Sequence, residues 1–221
     1  MTEEHNDDGT TRRSFIATGT AATAAVALTA AGVGWAGSSL AEGQTLPLTP
    51  QCTDGDDTPP VIEGPYFRRN SPLRTNLRTA GVTGVLLSLT GFVYDLRCKP
   101  LANVLVDFWQ ADQRGAYDNS TTAYRGRGHQ FTDANGAYTL ETIIPNEYPG
   151  RTPHIHVKVQ APRGPVLTTQ LYFPDNTKAY NVNFAAANRR DAYYIRDTVI
   201  PLGPLTANRY QGKFDFVVRT A

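Results

Sequence analysis

No run of lysines or arginines in the 221 residues suits a nucleic-acid backbone, and the formal charge is only +1. Binding to DNA or RNA is dominated by phosphate contacts, so the composition excludes that class of partner. Arg125-Gly126-Arg127 is too short to change this and reads as a solvated loop. Cysteine is scarce: Cys52 and Cys98 are the two present, far in sequence from the histidines at 154 and 156. That distance argues against a structural zinc site, which would more often use thiolates. The single methionine is the first residue. Beyond the first forty residues there is no second long apolar run, no internal repeat, no long linker and no long amphipathic helix. What the chain does have is turns, with 15 prolines and 19 glycines, and a globular balance of 40% apolar and 19% charged residues.

The N-terminal segment reads as a targeting signal. Thr11-Arg12-Arg13-Ser14-Phe15-Ile16 fits a twin-arginine export motif, and an Ala-rich run follows from about Ala17 to Ala36. Ser39-Leu40-Ala41 supplies small residues where a signal peptidase reads. An uncleaved membrane anchor is the alternative. Ala, Gly and Thr in place of Leu and Ile favour cleavage. The expected organisation is a signal peptide over residues 1–41 and one domain over residues 42–221. That domain would be secreted and free of the membrane once the signal is removed. It holds 19 bases and 16 acids, too mild an imbalance to predict a polyanionic partner. Twin-arginine export carries proteins already folded, which suits a protein that takes up a metal inside the cell. An oxidising destination favours a Cys52–Cys98 disulfide over two free thiols. It would pin the N-terminal segment to the core and contribute roughly 2–4 kcal/mol.

Along the domain, residues 42–62 are rich in Pro, Thr and Asp and read as an extended arm, followed by the aromatic turn Glu63-Gly64-Pro65-Tyr66-Phe67. Strands are predicted at Val85–Tyr94, Val104–Trp109, His154–Gln160 and Leu167–Phe173. Asp133-Ala134-Asn135-Gly136 between the short runs of Phe131–Ile143 is a hairpin signal. Gln113–His129 reads as a polar loop, Phe184–Asn188 as a short helix, and Asp197–Ile200 and Lys213–Arg219 as the last strands. Many short strands with Gly/Pro turns predict an all-β antiparallel sandwich, immunoglobulin- or transthyretin-like, with long loops around the site.

His154-Ile155-His156 carries the most chemistry. In a strand, residues two apart point to one face, so both imidazoles can reach one metal ion. Tyr117, Tyr148 and Arg151 are nearby candidates. Imidazole suits Zn, Cu, Fe and Ni. A phenol ionises at ~10 and needs a strongly charged cation to bind as phenolate at neutral pH. Two tyrosines with two histidines therefore favour Fe(III) over Zn(II) and leave positions for water and an aromatic diol. Each piece alone has a bland reading: surface histidines, loop tyrosines, a surface arginine. A zinc hydrolase using His154, His156 and a carboxylate such as Glu147 would leave the tyrosines unexplained.

The chain resembles the intradiol ring-cleavage dioxygenases, the family of catechol and protocatechuate dioxygenases. The resemblance runs from Glu63-Gly64-Pro65-Tyr66-Phe67 to about Phe173. It rests on Trp109-Gln110-Ala111, Gly115 and Tyr117; on Thr132-Asp133, Gly136 and Tyr138; on Thr142-Ile143, Pro145 and Tyr148-Pro149. Arg151, His154-Ile155-His156 and Gln170-Leu171-Tyr172-Phe173 complete it. The resemblance implies a non-haem Fe(III) enzyme that uses O2 to open a catechol-type ring between its hydroxyls, giving a cis,cis-muconate. It implies that Tyr117 stays bound, that Tyr148 leaves as the diol chelates, and that His154 and His156 are the imidazole ligands. Arg151 and Gln170 would bind the substrate and assist its reaction, and Tyr66 would line the pocket or pack in the core. A non-catalytic β-sandwich that binds aromatics or carbohydrate is the alternative, against which all four ligands and Arg151 speak. Two departures stand out: the segment between Tyr148 and Arg151 is very short, and Asn146-Glu147 replaces the small pair often found before the tyrosine. The helical linker that dimerises catechol enzymes has no counterpart, which leaves a monomer or a homodimer open. A carboxylated diol would need a cation near its ring, for which Arg114, Arg125, Arg127 and Lys158 are candidates.

Overall fold

The structure, a computed structural model, describes Cys52 and residues 56–221. The proposed signal peptide over residues 1–41 lies outside the described residues, as does most of the predicted arm before residue 56. Among the described residues, no helix is long and apolar enough to cross a membrane.

Eight strands among the described residues form two four-stranded sheets. They are β1 (Leu86–Tyr94), β2 (Leu105–Gln110), β3 (Arg127–Phe131), β4 (Ala137–Ile143), β5 (Ile155–Gln160), β6 (Val166–Leu171), β7 (Arg209–Lys213) and β8 (Phe216–Val217). A short helix, α1 (Phe184–Arg190), and a 3-10 turn at Arg196–Thr198 lie between β6 and β7. One sheet has the order β4-β1-β7, with β8 pairing further along β1; the other has the order β3-β2-β5-β6. The second sheet is antiparallel throughout. The first is mixed, because β7 and β8 run parallel to β1.

Strict alternation positions the core. Leu87, Leu89 and Val93 of β1 are buried, as are Tyr138 and Leu140 of β4. They share one apolar cluster with Val106 and Phe108 of β2, Ile155, Val157 and Val159 of β5, and Leu171 of β6. The Phe108 and Tyr138 rings, 5.8 Å apart, join the two sheets. Gly91 is needed in β1, because a Cβ there would come within 1.7 Å of the Phe214 carbonyl.

Three sequence expectations need correction. The turn at Asp133–Gly136 forms, with Gly136 donating to the Asp133 carbonyl at 3.0 Å, but it joins no hairpin. β3 pairs with β2 and β4 pairs with β1, so the turn carries the chain from one sheet to the other. Turn chemistry specifies the reversal, not the partner of the strand that follows. β3 also begins inside the predicted polar loop. Near the C-terminal end, Arg196–Thr198 is a 3-10 turn, and the strands are Arg209–Lys213 and Phe216–Val217. The short helix lies where it is expected: the Asn183 side chain caps it by accepting from Ala186 N at 3.0 Å.

Cys52 and Cys98 form a disulfide with a Cα–Cα distance of 5.3 Å, within the ordinary range for such a bond. Downstream, Thr58 N donates to Val217 O at 3.0 Å and Val61 N to Thr168 O at 2.9 Å. The described part of the arm is thereby tied to both sheets.

Candidate active site

The site lies on the outer face of the second sheet, opposite the core. Side chains one strand apart in register stand side by side, and one row runs Arg127–Trp109–His156–Gln170 across all four strands. Trp109 is buried, and its indole stacks on the His156 imidazole at 4.7 Å with planes 9° apart. It is thus the platform beneath one histidine rather than a member of the central core. Phe67 from the aromatic turn covers Trp109 edge-on at 4.9 Å.

His154 precedes β5 and lies on the same face as His156. Their Nε2 atoms are 3.1 Å apart. Tyr117 reaches over from the β2–β3 loop, its hydroxyl 3.1 Å from His156 Nε2 and 3.5 Å from His154 Nε2. The Tyr148 hydroxyl is 3.5 Å from His154 Nε2. All four proposed ligands therefore converge on one point. Gly115 permits this approach: its φ is +76°, and a Cβ there would come within 2.3 Å of the Glu147 carbonyl beside Tyr148. The Tyr148–Arg151 turn carries Pro149 and Gly150 at its centre, closed by Arg151 N donating to Tyr148 O at 2.9 Å. It returns Arg151 to the same side as Tyr148, with Arg151 Nη1 donating to the Tyr148 hydroxyl at 3.3 Å.

The donor set fits a cation. His154 Nδ1 is 2.6 Å from the Thr152 carbonyl, which can only accept, so the proton sits on Nδ1 and Nε2 presents a lone pair. Burial, reinforced by the Arg151 charge, lowers the His154 pKa to about 3. Burial and the neighbouring His154 drive His156 down as well. Both imidazoles are thus neutral and free to ligate. Burial and the Tyr148 hydroxyl push the Tyr117 phenol upward, and burial raises Tyr148. A multivalent ion among them would reverse that preference. Among the described residues, no group of three or more His, Cys, Asp or Glu offers another metal site.

Arg151 and Gln170 meet directly. Arg151 Nη2 donates to Gln170 Oε1, which also accepts from the Tyr172 hydroxyl at 2.9 Å. Gln170 Nε2 donates to the Ile62 carbonyl at 2.8 Å. Gln170 is fully buried, so its place is behind Arg151, holding the guanidinium. Tyr66 stacks on Tyr117 at 4.5 Å and meets Tyr148 edge-on at 6.2 Å. A cavity of about 350 Å³ lies against Tyr148 and Arg151, bounded by Glu147, Pro149, Gly150, Ala187 and Arg190.

Other candidates lie elsewhere. Glu147 pairs with Arg190 at 3.8 Å, which weakens the zinc-hydrolase set. Arg114 pairs with Asp112 at 3.1 Å, Arg125 with Asp118 at 3.9 Å, and Lys158 with Glu63. Arg127 is buried behind Tyr117, donating through Nε to the Asp118 carbonyl at 2.9 Å. Asp107 and His129 lie in the next row of the sheet, both bound to the Ser71 hydroxyl, at 2.7 and 3.1 Å. Sequence reasoning missed Thr152, Asp191 and Tyr193 around Arg151 and gave no role to Tyr172, which shares Gln170 Oε1 with it. Asp191 in Asn-Arg-Arg-Asp reads as a surface charge, and nothing local signals its burial.

Comparison with known proteins bears on the family of the chain. The family model Dioxygenase_C, described as a dioxygenase, matches residues 62–219. Catechol 1,2-dioxygenase 2 of Acinetobacter lwoffii is 32% identical over 156 residues, 60% of this chain and 56% of that protein. The protocatechuate 3,4-dioxygenase beta chain of Burkholderia cepacia is 35% identical over 137 residues, 52% of this chain and 58% of that one. The chain spans about half the length of the curated relatives it matches. Among solved structures, the dioxygenase domain of a dioxygenase–carbohydrate-binding fusion from Streptomyces sp. SirexAA-E is 48% identical. Its TM-score is 0.66, and the match covers 75% of this chain and all of that one. The 3-chlorocatechol 1,2-dioxygenase of Rhodococcus opacus 1CP is 26% identical, with a TM-score of 0.64 over 75% of this chain and 73% of that one. With the sandwich shared and the family model spanning nearly all the described residues, this chain belongs to the intradiol ring-cleavage dioxygenase family.

Proposed function

We propose that this chain is a non-haem, Fe(III)-dependent dioxygenase that opens catechol-type aromatic diols between their two hydroxyls. O2 is the second substrate and a cis,cis-muconate-type acid the product. The observation that carries this is the convergence of two neutral imidazole nitrogens and two phenol oxygens within 3.1–3.5 Å, with Arg151 bonded to one of those phenols. Fe(III) held by Tyr117, Tyr148, His154 and His156 would supply the Lewis acidity that ionises a chelated diol and the electron-accepting character that opens its ring to O2.

The protein's own groups divide the remaining work. Tyr117 contacts both imidazoles and is stacked under Tyr66, so it would be the phenolate that stays with the metal. Tyr148 contacts one imidazole and borders the cavity, so it would be the ligand that yields to substrate. Its phenolate oxygen takes a proton from an incoming hydroxyl, and Arg151 Nη1 holds that oxygen before and after the transfer. The guanidinium also places a fixed positive charge where negative charge grows on the ring. Gln170 keeps Arg151 in that pose.

We further infer export by the twin-arginine route, on the strength of Thr11–Ile16 and the Ala-rich run after it. The deciding experiment is the visible spectrum of the iron-loaded protein, recorded anaerobically before and after catechol is added, followed by oxygen uptake. A phenolate-to-iron charge-transfer band that moves to longer wavelength, with muconate formed on admitting O2, supports the reading. A colourless protein that consumes no oxygen overturns it.

A further inference from the structure

Asp191 follows α1, its backbone N–H donating to Ala187 O at 3.1 Å. Its carboxylate is fully buried, yet each oxygen is used. Oδ2 accepts from Arg151 Nε at 2.9 Å and from Thr152 N at 3.0 Å. Oδ1 accepts from Tyr193 N at 2.9 Å. Thr152 then passes the restraint on. Its carbonyl receives His154 Nδ1 at 2.6 Å, and its hydroxyl donates to Asn188 Oδ1 at 2.7 Å. One carboxylate thus anchors the guanidinium that faces the Tyr148 hydroxyl and the peptide that orients a proposed iron ligand.

We propose that Asp191 is the positioning residue of this site, fixing the Arg151 guanidinium directly and the His154 imidazole through the Thr152 peptide; the role rests on the dioxygenase reading above. Outer partners of a ligating histidine set its tautomer and ring direction. The Arg151 guanidinium also lies over the Tyr193 ring, 5.0 Å from its centre, and Tyr193 is held by the other Asp191 oxygen. An amide cannot replace this carboxylate. Whichever way the side chain of an Asp191→Asn variant is turned, its NH2 meets the N–H groups of Arg151 and Thr152 or that of Tyr193, donor against donor in a buried site. Arg151 then loses the partner that balances its charge and sets its reach toward Tyr148.

The test compares wild type, Asp191→Asn, Asp191→Glu, Arg151→Gln and the double variant for iron content, visible spectrum, kcat and KM with catechol. Asp191→Asn is expected to bind iron with a shifted charge-transfer band. Its kcat should fall about 10- to 100-fold while KM changes less than about threefold. Adding Asp191→Asn to Arg151→Gln should cost less than the product of the two separate losses, because both act on one guanidinium. Asp191→Glu keeps the charge but moves it by a methylene, and should lose kcat to a smaller extent. It serves as the probe if Asp191→Asn does not fold. A wild-type kcat and an unshifted band in whichever variant folds overturn the proposal, as do fully multiplicative losses in the double variant. An inactive, colourless wild type overturns the parent reading and this one with it. An active wild type beside an unaffected variant overturns this one alone.

Discussion

Replacing Tyr148 with Phe tests the division of labour between the two phenols. The change removes one oxygen, which contacts Arg151 Nη1 at 3.3 Å and His154 Nε2 at 3.5 Å. The ring itself keeps its edge-on contacts with Tyr66 at 6.2 Å and Tyr117 at 5.8 Å. Arg151 remains held by Asp191 and Gln170. The fold should therefore lose less than about 1 kcal/mol, the worth of one ordinary hydrogen bond. Catalysis should lose far more, because the proposed base for the substrate proton is gone. A positioned general base contributes about 10²–10⁴-fold, or roughly 2.7–5.4 kcal/mol of barrier. Iron should be retained by the other three donors. Tyr117→Phe should behave in the opposite order: its oxygen is shared by both imidazoles, at 3.1 and 3.5 Å, so its loss should empty the site of iron. The assay is metal analysis, visible absorption, thermal unfolding and catechol turnover on both variants in parallel. Wild-type turnover in Tyr148→Phe, or equal loss of iron from the two variants, would refute the assignment.

Further expectations concern the elements that deliver the site. Gly115→Ala puts a Cβ within 2.3 Å of the Glu147 carbonyl at a φ of +76°, and should displace the Tyr117 loop and lower iron content. Gly150→Ala, with φ +82° but nothing within 4 Å, should cost only about 1–2 kcal/mol of backbone strain and keep the iron, both outcomes being read by metal analysis and thermal melts. Reducing Cys52–Cys98, 46 residues apart, should lower stability by roughly 4 kcal/mol at most on the loop-entropy model. An unchanged denaturant midpoint with reductant would rule out the pinning role. Burial tends to raise the Asp118 carboxyl, but hydrogen bonds from the Thr121 hydroxyl and from the Arg125, Thr121 and Ser120 amides outweigh it and hold it well below the usual range. Its folded value is thus below its unfolded value of ~3.9, so its stabilisation is present above about pH 4 and fades as pH falls through the folded value. Asp118→Asn should destabilise by about 1–2 kcal/mol at pH 7 and flatten the acid limb of the stability–pH curve below about pH 4.

How much of this could be read from the chain depends on the range of each interaction. The His154–His156 pair, the alternation of β1 and the apolar runs of β2, β5 and β6 are local patterns, and each strand appears within two residues of where the sequence places it. The reach of Tyr117 to the imidazoles is legible only through the resemblance, because the loop from β2 to β3 has no periodicity of its own. Pairing is the harder question. Asp133–Gly136 has every mark of a hairpin turn, yet β4 leaves for the other sheet, because Tyr138 and Leu140 are buried in the core beside Phe108 and the strands of the first sheet. A turn of four residues cannot encode which sheet will offer the better apolar face. The parallel pairing of β7 and β8 with β1 was equally hidden, since it joins residues more than a hundred positions apart.

The site shows the same division. Once β2 is in register with β3 and β5, and β5 with β6, the row Arg127–Trp109–His156–Gln170 follows without further choice. A slip of one residue in β5 would turn His156 into the core and put Val157 under the tyrosines. The burial of Ile155, Val157 and Val159 therefore protects the site as well as the fold, because the apolar alternation that stabilises the sandwich also fixes which face the imidazole occupies. What the register cannot specify is the direction of each ring on that face. That comes from loops: from the distant aromatic turn, Gly64, whose absent Cβ would lie 3.5 Å from His156 Cε1, and Phe67 above Trp109, and from the turn before β5 the Thr152 carbonyl beside His154. The precision of the proposed metal site would be set by those crossings, and variants that move them should shift the spectrum of the iron-loaded protein before they lower the melting temperature.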